Sequence, residues 1–252
     1  MEALTPTLWA LALAIAVAAG VVKGAVGFAL PLVLISGLST FLDPRLALAG
    51  LIVPVVVSNA VQMLRSGWRE AVDAARAHWR YVLTVVVAIF VAGQFVTAIS
   101  REAFYLVLGV PVVALSLVQL AGLRPTIPPH RRVAGEWLAG LGSGILGGLS
   151  GTWGPVTALY LLAIGMPKAR QIVVQGVIYG IGGISLVLAH LRSGILNAET
   201  APFSAALLPA SLVGLWIGFR LSDRMDQDLF RRATLVVLVV AGLNLIRKGV
   251  WG

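Results

Sequence analysis

The sequence predicts an all-α polytopic membrane protein made of two inverted-topology repeats, each with a Gly-rich, broken (re-entrant or V-shaped) first helix followed by three spans. Three observations predict this fold class. Hydrophobic residues make up 59% of the 252-residue chain and charged residues only 12%, whereas a soluble domain carries about 25% charge. An apolar run is interrupted by glycines and a proline once in each half. Lys and Arg are distributed unequally among the loops.

The two interrupted segments are similar in sequence and lie 124 residues apart. Four positions match at this offset: Gly20 with Gly144, Gly24 with Gly148, Gly27 with Gly151, and Pro31 with Pro155. A helix break in a bilayer leaves backbone groups unpaired, so it is tolerated only where it lines a cavity or is buried in protein. Matching breaks in two halves of a chain therefore indicate the binding site of a transporter.

The apolar runs divide the chain into a first repeat at 1–123, a Pro-rich linker at 124–132 and a second repeat at 133–252. The first repeat contains a broken region at 7–42, spans at 46–64, 81–99 and 103–123, and a polar connector at 65–80 that is expected to form an amphipathic surface helix. The second repeat contains a broken region at 133–166 and spans at 172–191, 202–221 and 229–246. Each arm of a broken region has roughly 15 apolar residues, enough to reach most of the way across a bilayer.

Loop charges predict the topology. If each broken region crosses the membrane once, the loops on the two sides contain 10 and 8 basic residues; if each folds back, they contain 5 and 13, with Lys23 at the bend left aside. The positive-inside rule favours the second arrangement. The two halves then enter from opposite faces, as in inverted-repeat transporters. We therefore expect a multi-pass protein of the bacterial inner membrane with a cytoplasmic linker and both termini in the periplasm.

Composition and motifs also exclude several classes of function. The net charge of +9 does not indicate nucleic-acid binding, because the basic residues lie in short loops between apolar runs. The absence of cysteine excludes disulfides and thiolate metal sites. No Gly-x-x-x-x-Gly-Lys-Ser/Thr segment indicates an ATP-binding part. No paired Asp or His-Glu-x-x-His lies within a span, so we predict no catalytic residue, no enzyme activity, no metal and no cofactor.

The breaks themselves are predicted to bind an anion. A short helix is expected to begin near Pro31 and near Pro155, and free N–H groups and the dipole at a helix N-terminus attract negative charge. Lys23 is the basic residue inside an apolar run away from its ends, and such a charge is a functional candidate. Lys23 in lipid headgroups and glycines that only pack helices remain alternatives. The predicted substrate-binding residues of the two breaks are Lys23, Gly24, Gly27, Phe28, Gly148, Ser150, Gly151, Thr152 and Trp153.

Amide side chains in the flanking spans are further candidates for substrate binding. Asn59 and Gln62 are three residues apart, and Gln171 and Gln175 are four apart, so each pair shares one face of a helix. Hydrogen bonds between helices would explain these amides equally well.

Coupling to an ion gradient has no obvious carrier in the sequence. All ten acidic residues fall at the ends of spans or in loops. His190 lies near the end of a span and could titrate near neutral pH, but Arg192 beside it predicts a surface position.

At the two breaks the chain resembles the sulfite exporter TauE/SafE family of membrane permeases. The resemblance covers nearly the whole chain and is carried by Gly24, Gly27, Pro31, Gly148, Gly151, Gly154 and Pro155, with Ala47 and Ala169 at the start of the following spans. It implies export of sulfite, sulfoacetate or another organosulfonate, driven by an ion gradient. Phe28-Ala29-Leu30 and Thr152-Trp153 stand where members usually carry consecutive glycines, which implies bulkier pockets or a different anion.

The sequence thus predicts a secondary transporter whose partners are a small anion and the lipid bilayer. An anion channel, or a carrier for a small organic anion without sulfur, is the alternative. Self-association into a homo-oligomer is left open.

Overall fold

The computed structural model describes residues 5–96, 98, 100–123, 126–151 and 153–251. These residues form α-helices and one 3₁₀ turn at Pro129–Arg131, with no strand among them. The helices are α1 Pro6–Val26, α2 Leu30–Leu38, α3 Pro44–Leu64, α4 Trp68–Ala77, α5 Trp79–Gly93, α6 Arg101–Leu120, α7 Arg132–Ser150, α8 Gly154–Ala163, α9 Lys168–Arg192, α10 Ala201–Arg224 and α11 Gln227–Trp251. Five are long and apolar enough to cross a membrane, or six if α4 and α5, bent by 84°, count as one span. The prediction of a polytopic helical membrane protein is confirmed.

The connector at 65–80 forms the amphipathic helix that the sequence predicts. In α4, Ala71 and Ala74 are buried, while Arg69, Glu70 and Asp73 are exposed.

The first helix of each half is followed by a shorter helix that folds back along it. Gly37 of α2 lies against Ile15 of α1. In the second half, the hydroxyl oxygens of Ser143 in α7 and Thr157 in α8 lie 2.9 Å apart. Each pair therefore forms a V whose closed end is a turn between the two helices.

The arms of each V are unequal, and the expectation of roughly 15 residues per arm is wrong. Helices α1 and α2 have 21 and 9 residues, and α7 and α8 have 19 and 10. At 1.5 Å per residue, the longer arm reaches about 30 Å and the shorter about 14 Å. Each long arm ends at a left-handed glycine, Gly27 or Gly151, and the short arm starts three residues later, at Leu30 or Gly154.

Glycines allow the long arm of each V to pack closely on a helix from the other half. Helix α1 lies against α10, where a Cβ atom on Gly20 would overlap the carbonyl oxygen of Ser211 and one on Gly214 would overlap that of Val17. Helix α7 lies against α5, where a Cβ atom on Gly144 would lie 2.9 Å from the carbonyl oxygen of Val85. Small residues at such contacts let helix backbones approach within a membrane.

His190 is fully buried, so the predicted surface position is wrong. The segment after α9 folds back over it, and the backbone N–H of Leu196 donates a 3.0 Å hydrogen bond to the carbonyl oxygen of His190. The neighbouring Arg192 remains exposed. The loop that follows α9 covers His190 in the last turn of the helix and leaves Arg192 uncovered.

Candidate functional site

A small buried cavity lies where the two V-shaped pairs meet. Phe28, Ala29 and Pro31 line it from the first break, and Trp153 and Gly154 from the second. Its remaining wall is formed by α1, α3 and α9, through Lys23, Val55, Asn59 and Tyr179. The cavity volume is about 10 Å³, which is room for about one water molecule. A sulfur oxyanion is larger, so the surrounding side chains must move apart to admit one.

Lys23 places a basic side chain at this cavity. Its side chain is 1% exposed, which does not fit a position among lipid headgroups. The side-chain Nζ donates a 2.6 Å hydrogen bond to Oδ1 of Asn59 and lies 5.4 Å from the ring centre of Tyr179. Among the described residues, no carboxylate forms an ion pair with it.

Asn59 and Tyr179 connect Lys23 to the second break. The amide Nδ2 of Asn59 donates to the backbone carbonyl of Tyr179 at 3.0 Å. The Tyr179 hydroxyl donates to the carbonyl of Gly154 at 3.2 Å. Hydrogen bonds therefore run from α1 through α3 and α9 to the start of α8. Sequence reasoning missed Tyr179, although its place four residues after Gln175 puts it on the same face of α9.

The start of α8 is held by buried hydroxyl groups. Ser143 and Thr157 both donate to the carbonyl oxygen of Trp153, at 2.6 and 2.8 Å. Tyr81 of α5 donates to the Thr157 hydroxyl at 3.0 Å. The indole Nε1 of Trp153 is buried and has no hydrogen-bond partner among the described residues. The backbone at the second break is thus held in place, while the indole N–H of Trp153 remains able to donate a hydrogen bond to a ligand.

Both short helices begin at the cavity. Helix α2 starts at Leu30 with Pro31 in its first turn, and α8 starts at Gly154 with Pro155 in its first turn. The first N–H groups of a helix have no partner within it, and the helix dipole places partial positive charge there. The cavity therefore has positive potential from two helix N-termini in addition to Lys23.

The three glutamines form a buried amide cluster beside the first break. The Gln62 amide donates to the carbonyl of Ile172 at 3.2 Å. Oε1 of Gln62 and both polar atoms of Gln171 and Gln175 have no partner among the described residues. Gln175 lies directly against Gly27, since a Cβ atom there would overlap its Oε1. Each unpaired buried group costs about 1–3 kcal/mol, so the cluster has hydrogen-bonding capacity for water or a ligand.

The predicted glycines occupy two kinds of position. Gly24 and Gly148 lie in helix contacts, against Gly218 of α10 and Gly93 of α5. Gly27 and Gly151 end α1 and α7 with left-handed φ angles of 84° and 69°. The packing alternative therefore gives a sufficient reason for Gly24 and Gly148. The remaining candidates are Thr152, which lies outside the described residues, and Ser150, whose side chain is not among those described.

Ala29 takes a left-handed conformation, with a φ angle of 75°. It is the residue before α2 and is 1% exposed. This conformation costs an alanine about 1–2 kcal/mol because its Cβ crowds the backbone. Strain therefore lies at the cavity wall, in the segment where the sequence lacks consecutive glycines.

We expect Ala29→Gly to raise the free energy of unfolding by about 0.5 kcal/mol, because relief of strain exceeds the added flexibility of the unfolded chain. Thermal unfolding in detergent measures this change. The control is Ala14→Gly, the same substitution in the interior of α1, which should lower stability by about 1 kcal/mol. Equal losses in both variants would show that no strain is relieved at position 29.

A bundle of apolar helices around a buried lysine and two helix N-termini fits a polytopic membrane permease. The family model for the sulfite exporter TauE/SafE family matches residues 12–245. The chain therefore belongs to this family, as the resemblance at the breaks implies, and the family consists of membrane transporters of sulfur-containing anions such as sulfite rather than enzymes. No curated protein and no solved structure matches the chain.

Proposed function

We propose that this protein is a secondary transporter that exports a small sulfur-containing anion, such as sulfite, sulfoacetate or another organosulfonate, across the bacterial inner membrane. The observation that carries the proposal is the cavity between the two breaks, where Lys23 and the starts of α2 and α8 converge. The anion binds between Phe28 and Trp153, with the ammonium and the free N–H groups as its donors. The amide cluster of Gln62, Gln171 and Gln175 provides polar groups for its passage beside Gly27.

We propose that the two repeats have inverted topology and that the site lies at the membrane midplane. Support comes from helix pairing: α1 packs on α10, and the equivalent α7 packs on α5. Helices α3 and α9 pack against each other at the centre. The cavity residues Val55 and Tyr179 lie near the midpoints of these two helices. If repeats 1–123 and 133–252 are related by a two-fold axis in the membrane plane, the first helix of each repeat packs on the equivalent span of the other repeat, as α1 does on α10 and α7 does on α5.

Cysteine labelling tests the topology, since the chain has no native cysteine. Thr7→Cys at the start of α1 and Ser66→Cys after α3 are both at exposed positions. We expect a membrane-impermeant maleimide to label position 7 from the periplasm and position 66 only after the membrane is opened. Asn197→Cys serves as a periplasmic reference. Labelling of positions 7 and 66 from one side would refute the inverted arrangement.

Flux into proteoliposomes tests the function and separates a carrier from a channel. The panel consists of sulfite, sulfoacetate, sulfate and acetate. We expect saturable uptake of a sulfur anion, with acceleration when the same anion is loaded inside. Unsaturable conductance would indicate a channel, and preferential uptake of acetate would indicate a carrier for organic anions without sulfur.

A further inference from the structure

Lys23 is a buried basic side chain whose hydrogen-bond acceptor is a neutral amide. Oδ1 of Asn59 lies 2.6 Å from its Nζ. A carboxylate in place of this amide would balance the charge, but the ion pairs among the described residues lie elsewhere, near helix ends. A charge inside the membrane without a counter-charge is costly. The missing counter-charge is the feature that an anion in the cavity would supply.

The helices around Lys23 provide no other charge near it. The titratable side chain that faces Lys23 among the described residues is Tyr179, through its ring. Helices α2 and α8 contain no charged residue. The others have theirs near their ends: Arg45 in α3, Lys168, Arg170, His190 and Arg192 in α9, Arg220, Asp223 and Arg224 in α10, and Asp228, Arg231, Arg232, Arg247 and Lys248 in α11.

We propose that Lys23 takes up a proton when the anion binds, so that anion and proton cross the membrane together and the outward concentration gradient of the anion drives export; this inference rests on the proposed function. The anion supplies the counter-charge that stabilises the ammonium. A proton from the side on which the anion enters binds the lone pair of Nζ and leaves on the other side with the anion. The N–H bond is the only bond that forms and breaks. The coupling is reciprocal, so protonation strengthens anion binding by the same factor.

The choice of amide at position 59 is central to this coupling. An Asp of the same shape would hold the proton on Lys23 whether or not the anion is present. Asn59 accepts a hydrogen bond from the amine but adds no charge, so the protonation of Lys23 depends on the anion. The hydrogen bond from Nδ2 of Asn59 to the carbonyl oxygen of Tyr179 fixes the orientation of the amide, so that Oδ1 faces Lys23.

Calorimetry of the purified full chain with sulfoacetate measures the protons taken up. Sulfoacetate is suitable because its acidic groups stay ionised around neutral pH, whereas sulfite titrates there. Titration in two buffers of different ionisation enthalpy gives the number of protons bound with each anion. We expect uptake that approaches about one proton, and a Kd that rises by up to about tenfold per pH unit on the alkaline side.

Two variants remove the coupling by different means. Lys23→Arg keeps a permanent charge, so it should bind sulfoacetate without proton uptake and with a flat pH dependence. Asn59→Asp should also bind without uptake, and more weakly, because the new carboxylate competes with the anion for Lys23. The control is His190→Gln. His190 lies 11 residues from Tyr179 along α9, about 16 Å away, so this variant should keep the uptake.

The outcomes distinguish this inference from the proposed function. Sulfoacetate binding to the wild type without proton uptake would overturn the coupling and leave an anion transporter. Uptake unchanged in Lys23→Arg, or lost in His190→Gln, would place the proton elsewhere and also overturn it. If no sulfur anion of the panel binds, the proposed function fails and the coupling fails with it. The wild-type measurement decides the question even if a variant does not fold.

Discussion

Lys23→Met is expected to weaken binding of the preferred sulfur anion by about 100-fold, because a close charged contact in a desolvated site is worth about 2–5 kcal/mol. Methionine fills the space of the lysine stem without its charge. The loss of the donor to Asn59 is opposed by removal of a polar amine from a buried position, so the unfolding temperature should change little. Equilibrium binding and thermal unfolding of the same preparation measure both effects.

Lys168→Met is the matched control for this variant. The Nζ of Lys168 donates to the carbonyl oxygens of Ser222 and Met225, at 2.5 and 2.6 Å. These bonds hold the start of α9 to the end of α10. Their loss should lower stability by about 2 kcal/mol and leave the anion affinity unchanged. If Lys23→Met instead lowered stability and kept full affinity, Lys23 would be a structural residue.

Gly214→Ala is expected to produce the largest loss of stability, about 3 kcal/mol or complete failure to fold. The added Cβ would overlap the carbonyl oxygen of Val17 and lie 2.9 Å from the backbone nitrogen of Val21. Backbone atoms cannot move aside as a side-chain tip can, so α1 and α10 must separate. Size-exclusion chromatography after heating reports the fraction that stays folded.

The matched control is Gly142→Ala in α7. A Cβ at that position meets nothing within 4 Å. Alanine is a better helix former than glycine by about 1 kcal/mol, so this variant should be at least as stable as the wild type. A similar loss of stability in both variants would mean that close packing of α1 on α10 does not limit stability.

The main features of the fold could be predicted because each depends on local sequence. Spans follow from apolar runs, and a break near each glycine cluster follows from glycines that precede a proline. The unequal arms of the two V-shaped pairs could not be predicted in the same way. The first cluster contains Gly20, Gly24 and Gly27, and their residue type does not show which of them takes the left-handed conformation that ends α1.

The site was only partly predictable because its geometry depends on contacts between distant parts of the chain. The residue types of Lys23, Phe28, Asn59 and Trp153 predict a role in the site, and all four lie around one cavity. The sequence could not show that Gly24 packs against α10 whereas Gly27 ends α1 beside Gln175, because each role depends on the residue that lies opposite in the fold. Burial of His190 depends on a returning loop, which leaves no signal in the periodicity of α9.

The most direct test of the account is the position of a bound anion. Selenite is an analogue of sulfite, and selenium gives an anomalous signal that identifies it in a crystal. We predict one selenium peak between Phe28 and Trp153, with an oxygen of the anion within hydrogen-bonding distance of the Lys23 Nζ and the two rings moved apart. A peak elsewhere in the protein, or none at a selenite concentration that saturates binding in solution, would contradict an anion site at the two breaks.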